Sequence, residues 1–538
     1  MFDTIISNGI VIDGTKKPRY QTDIGIQNGN IKTIGDLNHS EAKNIINAEN
    51  LIISPGFIDM HTHSDISLVN DKYGESKAYQ GVTTEVTGNC SFSPFPTGKK
   101  GPNNLKKGLW ETAALADDPN TNWTWNTLND WANTIEKNGI SINIAPQLGY
   151  GALQVATGAT EERSATKTEM NEMKYLASEA IEQGAFSIST GLSLPPSAYA
   201  STEEIIEICK AISNYDGVFY VTHARVGPGK HISAIKEAVK IGQKADIPVQ
   251  FSHLAITDWR YYGHGPSMHE IFDEAYKNGL DITYDMYPYT AAGAGLDQMI
   301  PLWAHSGGID EFLERLKDSN QRSKIREEVK EGRGGLAPKW ETVILSSSNN
   351  DKNKQLIGMS IIEIAQKRKI HPAETVLQLV EEEIGAVPVI IHNRLESDIR
   401  CFMDHPLAMF GSDGNAVSPN GFYKYAKPHP RFYGTYPRVL GRYVREKPSV
   451  LTLEEAIYKM TGFPAKRLCM KNRGIIRKGY IADLTIFDPK TVIDNATFDD
   501  PHQFPVGIDH VLVNGIPVIK NGKHTKAIPG KILRRGKT

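Results

Sequence analysis

Pro55-Gly56-Phe57-Ile58-Asp59-Met60-His61-Thr62-His63-Ser64-Asp65 runs an apolar strand signal straight into two histidines one residue apart. On a β-strand the side chains at i and i+2 share a face, so His61 and His63 are expected to project together from the strand's C-terminal end. Two imidazoles so placed suit one divalent ion. If that strand is the first of a (β/α)8 barrel, both stand at the C-terminal mouth, where such barrels keep their chemistry. A His-x-His pair alone is equally a buried, hydrogen-bonded pair, so the rest of the chain must supply further ligands.

Outward from this stretch, β-rich runs alternate with helical periodicity, which argues for βα units and a largely parallel sheet. After residues 57–63, further candidate strands fall at 82–87, 142–147, 185–189, 218–222, 249–252, 281–286 and 408–411. Another apolar run, 387–392, makes one strand too many, so 281–286 and 387–392 compete for one place in an eight-stranded barrel. Between strands, residues 203–212 set Ile205, Ile208, Cys209 and Ile212 on one helical face, and residues 231–245 do the same with Ile232, Ile235 and Val239. Cys209 therefore reads as a packing residue. The span 291–378 is long for one βα connection and holds the charged run 322–333, which predicts a lid or small inserted subdomain.

Towards the ends the grammar changes. Asn8-Gly9 and Asn28-Gly29 each lie between β-branched runs, a hairpin signal, and residues 482–488, 510–515 and Asn521-Gly522 repeat it near the C-terminus. Neither set suffices for a stable sheet alone, so the two ends are expected to pair. The fold class is α/β: a (β/α)8 TIM-like barrel inserted into a small β-sandwich formed by the N- and C-terminal segments. The expected domains are 1–53 and 471–538 for the sandwich and 54–470 for the barrel, with the insertion at about 291–378.

The 538 residues carry a formal net charge of −2, which gives no basic surplus to attract nucleic acid or an anionic membrane. The expected partner is a small molecule, and homo-oligomerisation is left open. With no signal-like N-terminus and no run of transmembrane length, the protein is expected to be cytoplasmic. Its four cysteines, Cys90, Cys209, Cys401 and Cys469, are widely spaced and read as reduced thiols.

Other metal-compatible groups end candidate strands. Cys90 follows 82–87, His223 closes 218–222, His253 closes 249–252, and Asp413 follows 408–411. A closed barrel brings all of these to one mouth with His61 and His63, and a cysteine beside a dication loses its proton and ligates.

This layout, within a split β-sandwich, resembles the amidohydrolase superfamily. Gly88-Asn89-Cys90, Ser189-Thr190-Gly191-Leu192, Tyr287-Pro288-Tyr289, Gly411-Ser412-Asp413-Gly414 and His429-Pro430-Arg431 narrow the resemblance to the D-aminoacylase (N-acyl-D-amino-acid deacylase) family. The resemblance implies that Cys90, His223 and His253 hold a firmly bound zinc, while His61, His63 and Asp413 line a second, often weakly occupied position. It further implies deacylation of an N-acyl-D-amino acid or related D-configured amide by metal-bound hydroxide, with Asp413 moving the protons and Arg431 pairing with a substrate carboxylate. Zinc lowers the pKa of its bound water to about 7 and polarises the scissile carbonyl.

Three positions depart from the family. Ala255 stands where a lysine is common, Leu194 where many members have tyrosine, and Gly293, beyond Tyr287, where serine is frequent. These substitutions thin the polar contacts to substrate and predict a bulkier, more apolar or carboxylate-blocked amide. Two other readings are kept: a cyclic amidase like hydantoinases or dihydroorotases, disfavoured because no bridging lysine follows 185–189, and a non-catalytic scaffold of the same fold.

Overall fold

The computed structural model describes residues 1–109, 121–385 and 387–537. Eight parallel strands form the barrel: β1 Phe57–Asp59, β2 Val82–Thr87, β3 Asn143–Pro146, β4 Ser187–Gly191, β5 Phe219–His223, β6 Val249–Phe251, β7 Ile282–Met286 and β8 Ala408–Phe410. β3 resumes beyond Gln147 as Leu148–Gly149, which carries the pairing on to β4. The ring closes between β8 and β1 through Met60 N–H to Phe410 O at 3.3 Å, Asp413 N–H to His61 O at 2.8 Å and His63 N–H to Gly414 O at 3.1 Å.

The competition between two apolar runs is settled by pairing. β7 lies between β6 and β8, with Tyr284 opposite Ala408. Pro388–Ile391 instead pairs antiparallel with Ala292–Gly295 and Val343–Leu345 in a separate three-stranded sheet. Four helices, Ile309–Lys317, Ser319–Glu331, Ile361–Arg368 and Pro372–Glu382, accompany that sheet around an apolar core of its own that includes Phe312, Ile325, Val376 and Val389. The charged run is thus largely a helix. It buries Ile325 and Val329 while Arg322 binds Glu374 and Glu381 on the neighbouring helix.

The predicted helical faces are those that pack. In Thr202–Ile212, capped by Ser201 with Glu204 returning the bond, Ile205, Ile208, Cys209 and Ile212 are buried, and burial pushes the Cys209 thiol up. In His231–Ala245 the buried stripe runs through Ile235, Ala238 and Ile241, leaving Ile232 and Val239 at its margin.

Both chain ends enter one nine-stranded sheet, whose seam is the antiparallel pair Ile52–Pro55 and Leu484–Phe487. Asn28-Gly29 makes the expected hairpin, but Asn8-Gly9 does not. Asn8, at φ 62°, starts a bulge inside the strand Phe2–Val11 and donates its N–H to Asp23 Oδ1 at 2.9 Å. The left-handed residue kinks one strand there instead of reversing it.

Inside the barrel, Ile58, Met60, Val86, Phe219 and Met409 pack with Ala465, Leu468, Met470 and Leu533 from segments beyond the barrel strands. Nearer the mouth lies a buried ion cluster that sequence reading missed. Lys77 Nζ donates to Asp59 Oδ2 at 2.9 Å, to Ser412 Oγ at 2.5 Å and to Gly414 O at 3.3 Å, and stands 3.3 Å from Glu85 Oε1. All three charged side chains are 0% exposed. Among the described residues no helix is long and apolar enough to cross a membrane.

Removing one member of a buried ion cluster leaves uncompensated charge, so Lys77→Met is expected to cost about 3–5 kcal/mol. Arg19, whose pair with Glu454 is 43% exposed on the arginine side, gives the contrast: Arg19→Met should cost less than about 1 kcal/mol. Urea titration followed by circular dichroism compares the midpoints. Equal midpoints for the two variants would show that Lys77 does not hold the barrel's closure.

Candidate metal centre

The β1 ladder ends at Asp59, so His61 and His63 stand on its irregular extension, which is bridged at Thr62 to Gly414. Their rings lie edge to face with centroids 5.4 Å apart. Cys90 follows the turn after β2, where Gly88 has φ 83° and any side chain would strike the Gln147 carbonyl; an added Cβ would lie 2.3 Å from that oxygen. β5 and β6 deliver His223 and His253, and the turn after β8 delivers Asp413.

The structure brings all six groups together. Cys90 Sγ is 3.3 Å from His61 Nε2, 3.7 Å from His223 Nδ1 and 3.5 Å from His253 Nε2, while those last two nitrogens are 3.0 Å apart. Asp413 Oδ1 lies 3.0 Å from His63 Nε2 and 3.5 Å from His61 Nε2. Two donor triads result, Cys90 with His223 and His253, and Cys90 with His61 and His63, sharing the sulfur.

These separations fit a metal. Ligand atoms about 2.0–2.3 Å from a tetrahedral zinc stand roughly 3.3–3.6 Å from one another. The three sulfur–nitrogen separations of 3.3, 3.5 and 3.7 Å lie in or next to that range, and the His223 and His253 nitrogens at 3.0 Å are somewhat closer. Electrostatics agrees with the geometry. Burial alone would push the Cys90 thiol up, but His61 and His253 hold it well below its ordinary value, which favours the thiolate. Burial likewise opposes ionisation of Asp413, yet Arg431 and His61 keep its carboxyl well below the usual range. The same field acts on His63, where Asp413 and Cys90 overcome desolvation and raise the ring to about 9. Positive charge is favoured at His61 and His63, while burial pushes the His253 ring down toward its neutral form, and a thiolate, a carboxylate and imidazoles together suit a divalent cation.

Supporting contacts aim the ligands. Ser193 Oγ is 2.5 Å from His223 Nε2, which leaves Nδ1 for the cluster. Asp285, within β7, accepts the His253 N–H at 2.8 Å, lies 3.2 Å from His61 Nδ1 through the same Oδ1, and accepts from Gln250 through Oδ2. Sequence reasoning missed Asp285; its signal was a carboxylate inside the apolar run Ile282–Met286.

A cavity of about 320 Å³ opens beside the donors, bordered by His63, Cys90, His223, His253 and Asp413. Leu194, Ala255, Gly293 and Tyr287 all reach it. Arg431 stands behind the wall. It is 0% exposed, with Nη1 3.0 Å from Asp413 Oδ2, and its Nη2 would meet a Cβ on Gly293 at 3.0 Å. Arg394, which sequence reading also missed, borders the cavity directly. A larger hollow of about 520 Å³ between Arg19 and Val492 is remote from these donors.

The amidohydrolase family profile matches residues 44–307 and 369–519. A D-aminoacylase of Alcaligenes xylosoxydans xylosoxydans is 33% identical over 99% of this chain and 98% of its own length. Among solved structures, the N-acyl-D-glutamate deacylase of Bordetella bronchiseptica, complexed with zinc and a phosphonate mimic of the reaction tetrahedral intermediate, is similar at a TM-score of 0.82 and 28% identity, with 99% of each chain covered. A D-aminoacylase solved to define the role of its binuclear metal center, with one-metal activation and second-metal attenuation, gives 0.81 and 31% over 99% of this chain and 100% of that one.

Because Cys90 Sγ belongs to both donor triads, Cys90→Ala is expected to lose most of the bound metal. Elemental analysis of the purified variant reads the loss directly. A wild-type metal content would remove Cys90 from the ligand set.

Proposed function

Because the chain belongs to the amidohydrolase family, we propose that His61, His63, Cys90, His223, His253 and Asp413 carry its chemistry at the barrel mouth. The protein is a metal-dependent hydrolase of linear amide bonds, acting on an N-acyl-D-amino acid or a related D-configured amide. The observation that carries the site assignment is the convergence of one cysteine sulfur and two imidazoles at 3.0–3.7 Å beside a buried carboxylate.

Cys90, His223 and His253 would hold one zinc firmly, and His61, His63 and Asp413 would line a weaker second position, with Cys90 common to both. When bound, zinc supplies the Lewis acidity that activates water near neutral pH and polarises the acyl carbonyl. The side chains do the rest. Asp413 presents Oδ1 to the histidines and Oδ2 to Arg431, so its two oxygens have different tasks. Arg431 keeps the carboxylate ionised and fixed, and the free lone pair of Oδ1 accepts the proton of the attacking water. The same oxygen then returns that proton to the departing amine, which is otherwise a very poor leaving group.

The cyclic-amidase reading gives way to this one, since full-length relatives at about a third identity are deacylases of linear amides. A screen of N-acyl-D-amino acids against cyclic ureides tests the choice, and turnover of the ureides alone would reverse it.

Asparagine cannot shuttle protons. Asp413→Asn should therefore keep its fold and zinc but lose about 10²–10⁴-fold in kcat. Turnover near wild type with metal retained would remove Asp413 from the proton transfers.

A further inference from the structure

One charged group at the cavity has no task in this scheme. Arg394 follows the strand Pro388–Ile391 of the inserted sheet, and its backbone N–H donates to Thr290 O at 3.2 Å, which ties it to the segment leaving β7. Its guanidinium carbon lies 4.2 Å from the centroid of the Tyr287 ring, and that of Arg431 lies 4.6 Å from the same centroid.

The two arginines face different partners. Arg431 is fully buried with Nη1 at ion-pair distance from Asp413, although none of its three side-chain nitrogens makes a hydrogen bond among the described residues, whereas Arg394 borders the cavity. Arg394 Nε is sealed from solvent without a hydrogen-bond partner, and among the described residues no carboxylate stands at ion-pair distance from this side chain. Desolvation and the neighbouring Arg431 both oppose its charge, and Tyr287 and the more distant Asp413 offset only part of that. Arginine nevertheless stays protonated in proteins. A cation thus stands at the cavity wall with no carboxylate at ion-pair distance among the described residues, where an anion would relieve it. Position 255 is alanine and a side chain at 293 would press on Arg431, so the charged donors left at the wall are Arg394 and Arg333, and of these Arg394 stands against Tyr287.

We propose that Arg394 is a specificity-determining residue that binds a carboxylate of the N-acylated substrate. This rests on the deacylase reading above and adds to it an anionic substrate class. A guanidinium meets a carboxylate through two parallel N–H···O bonds, and Tyr287 holds its plane. The expectation of a carboxylate-blocked substrate, drawn from Leu194, Ala255 and Gly293, is replaced: the cation comes from the inserted unit and not from the positions where the sequence was searched for it.

The test measures kcat/KM of the zinc-loaded enzyme on N-acetyl-D-methionine, its carboxamide, N-acetyl-D-glutamate and the α-carboxamide of that glutamate. Arg394→Gln should lower the acid-to-carboxamide ratio for methionine about 10- to 100-fold, chiefly through KM, and Arg394→Lys should recover part of it. If the ratio falls only between the glutamate derivatives that keep a side-chain carboxylate and the neutral methionine carboxamide, the bound carboxylate is the side chain's and not the α-group. Calorimetry of N-acetyl-D-methionine and its carboxamide on the Asp413→Asn protein, with and without Arg394→Gln, reads the same discrimination without turnover. A wild type that hydrolyses none of these amides would sink the deacylase reading while calorimetry still decides on Arg394. Equal losses on charged and neutral ligands in both assays would overturn the proposal. So would collapse of the ratio in Arg333→Gln, whose side chain reaches the same cavity, but not in Arg394→Gln.

Discussion

The buried ammonium of Lys77 is the constraint on which the mouth of the barrel depends. It sits between Asp59 of β1 and Glu85 of β2 and reaches across to Ser412 and Gly414 behind β8. The strands that meet at the closure are short, three residues each in β1 and β8, so backbone pairing alone fixes little. A lysine with no exposure tolerates that position only with its partners in place, which makes the ion cluster an all-or-none device. The groups it fixes lie directly beneath the site. Asp59 Oδ1 accepts from Ser412 N, one residue before Asp413, and at 3.4 Å from His61 N. The distance from Asp413 to His63 is therefore set by residues that never touch substrate.

Above this base the backbone itself is bent to aim ligands. Cys90, His253 and Asp413 adopt φ values of 54°, 36° and 52°, a left-handed conformation that non-glycine residues rarely take. Each such residue costs of order 1–3 kcal/mol, and three within one site persist only because surrounding structure over-determines them. The over-determination is visible: Asp285 fixes the His253 backbone, and His61 O receives the Asp413 N–H. Strain at these turns faces sulfur, imidazole and carboxylate inward from strand ends that would otherwise point them elsewhere.

Much of this was legible in the sequence. Donor residues at strand ends can be read because a parallel barrel collects strand ends at one mouth, whatever the loops do. The expected strand at 281–286 and its rival at 387–392 were not separable, since short apolar runs carry no information about their neighbours. Asn8-Gly9 failed for a related reason: the dipeptide specifies a left-handed backbone, which serves a bulge as well as a hairpin. Lys77 and Arg394 were invisible because their meaning lies in partners far along the chain, and Asp285 left only the signal of a carboxylate inside an apolar run. Lys77 meets Ser412 over a separation of 335 residues, and nothing local marks it as buried.

Two arginines against one tyrosine show why distant partners matter for specificity. Arg431 lies where the motif His429-Pro430-Arg431 directs attention, yet it has no exposure and its guanidinium stands at ion-pair distance from Asp413. That pairing suits catalysis, because a carboxylate that cycles a proton needs a fixed counter-charge that the substrate does not displace. It also leaves the recognition of a substrate anion to another cation, and Arg394 is brought to the cavity by the inserted sheet and not by the barrel. Barrel and insertion thus divide the work: strand ends hold the groups that perform hydrolysis, and the inserted unit carries groups free to change with substrate. A site built this way keeps its metal donors fixed while its specificity varies with a segment that has a hydrophobic core of its own.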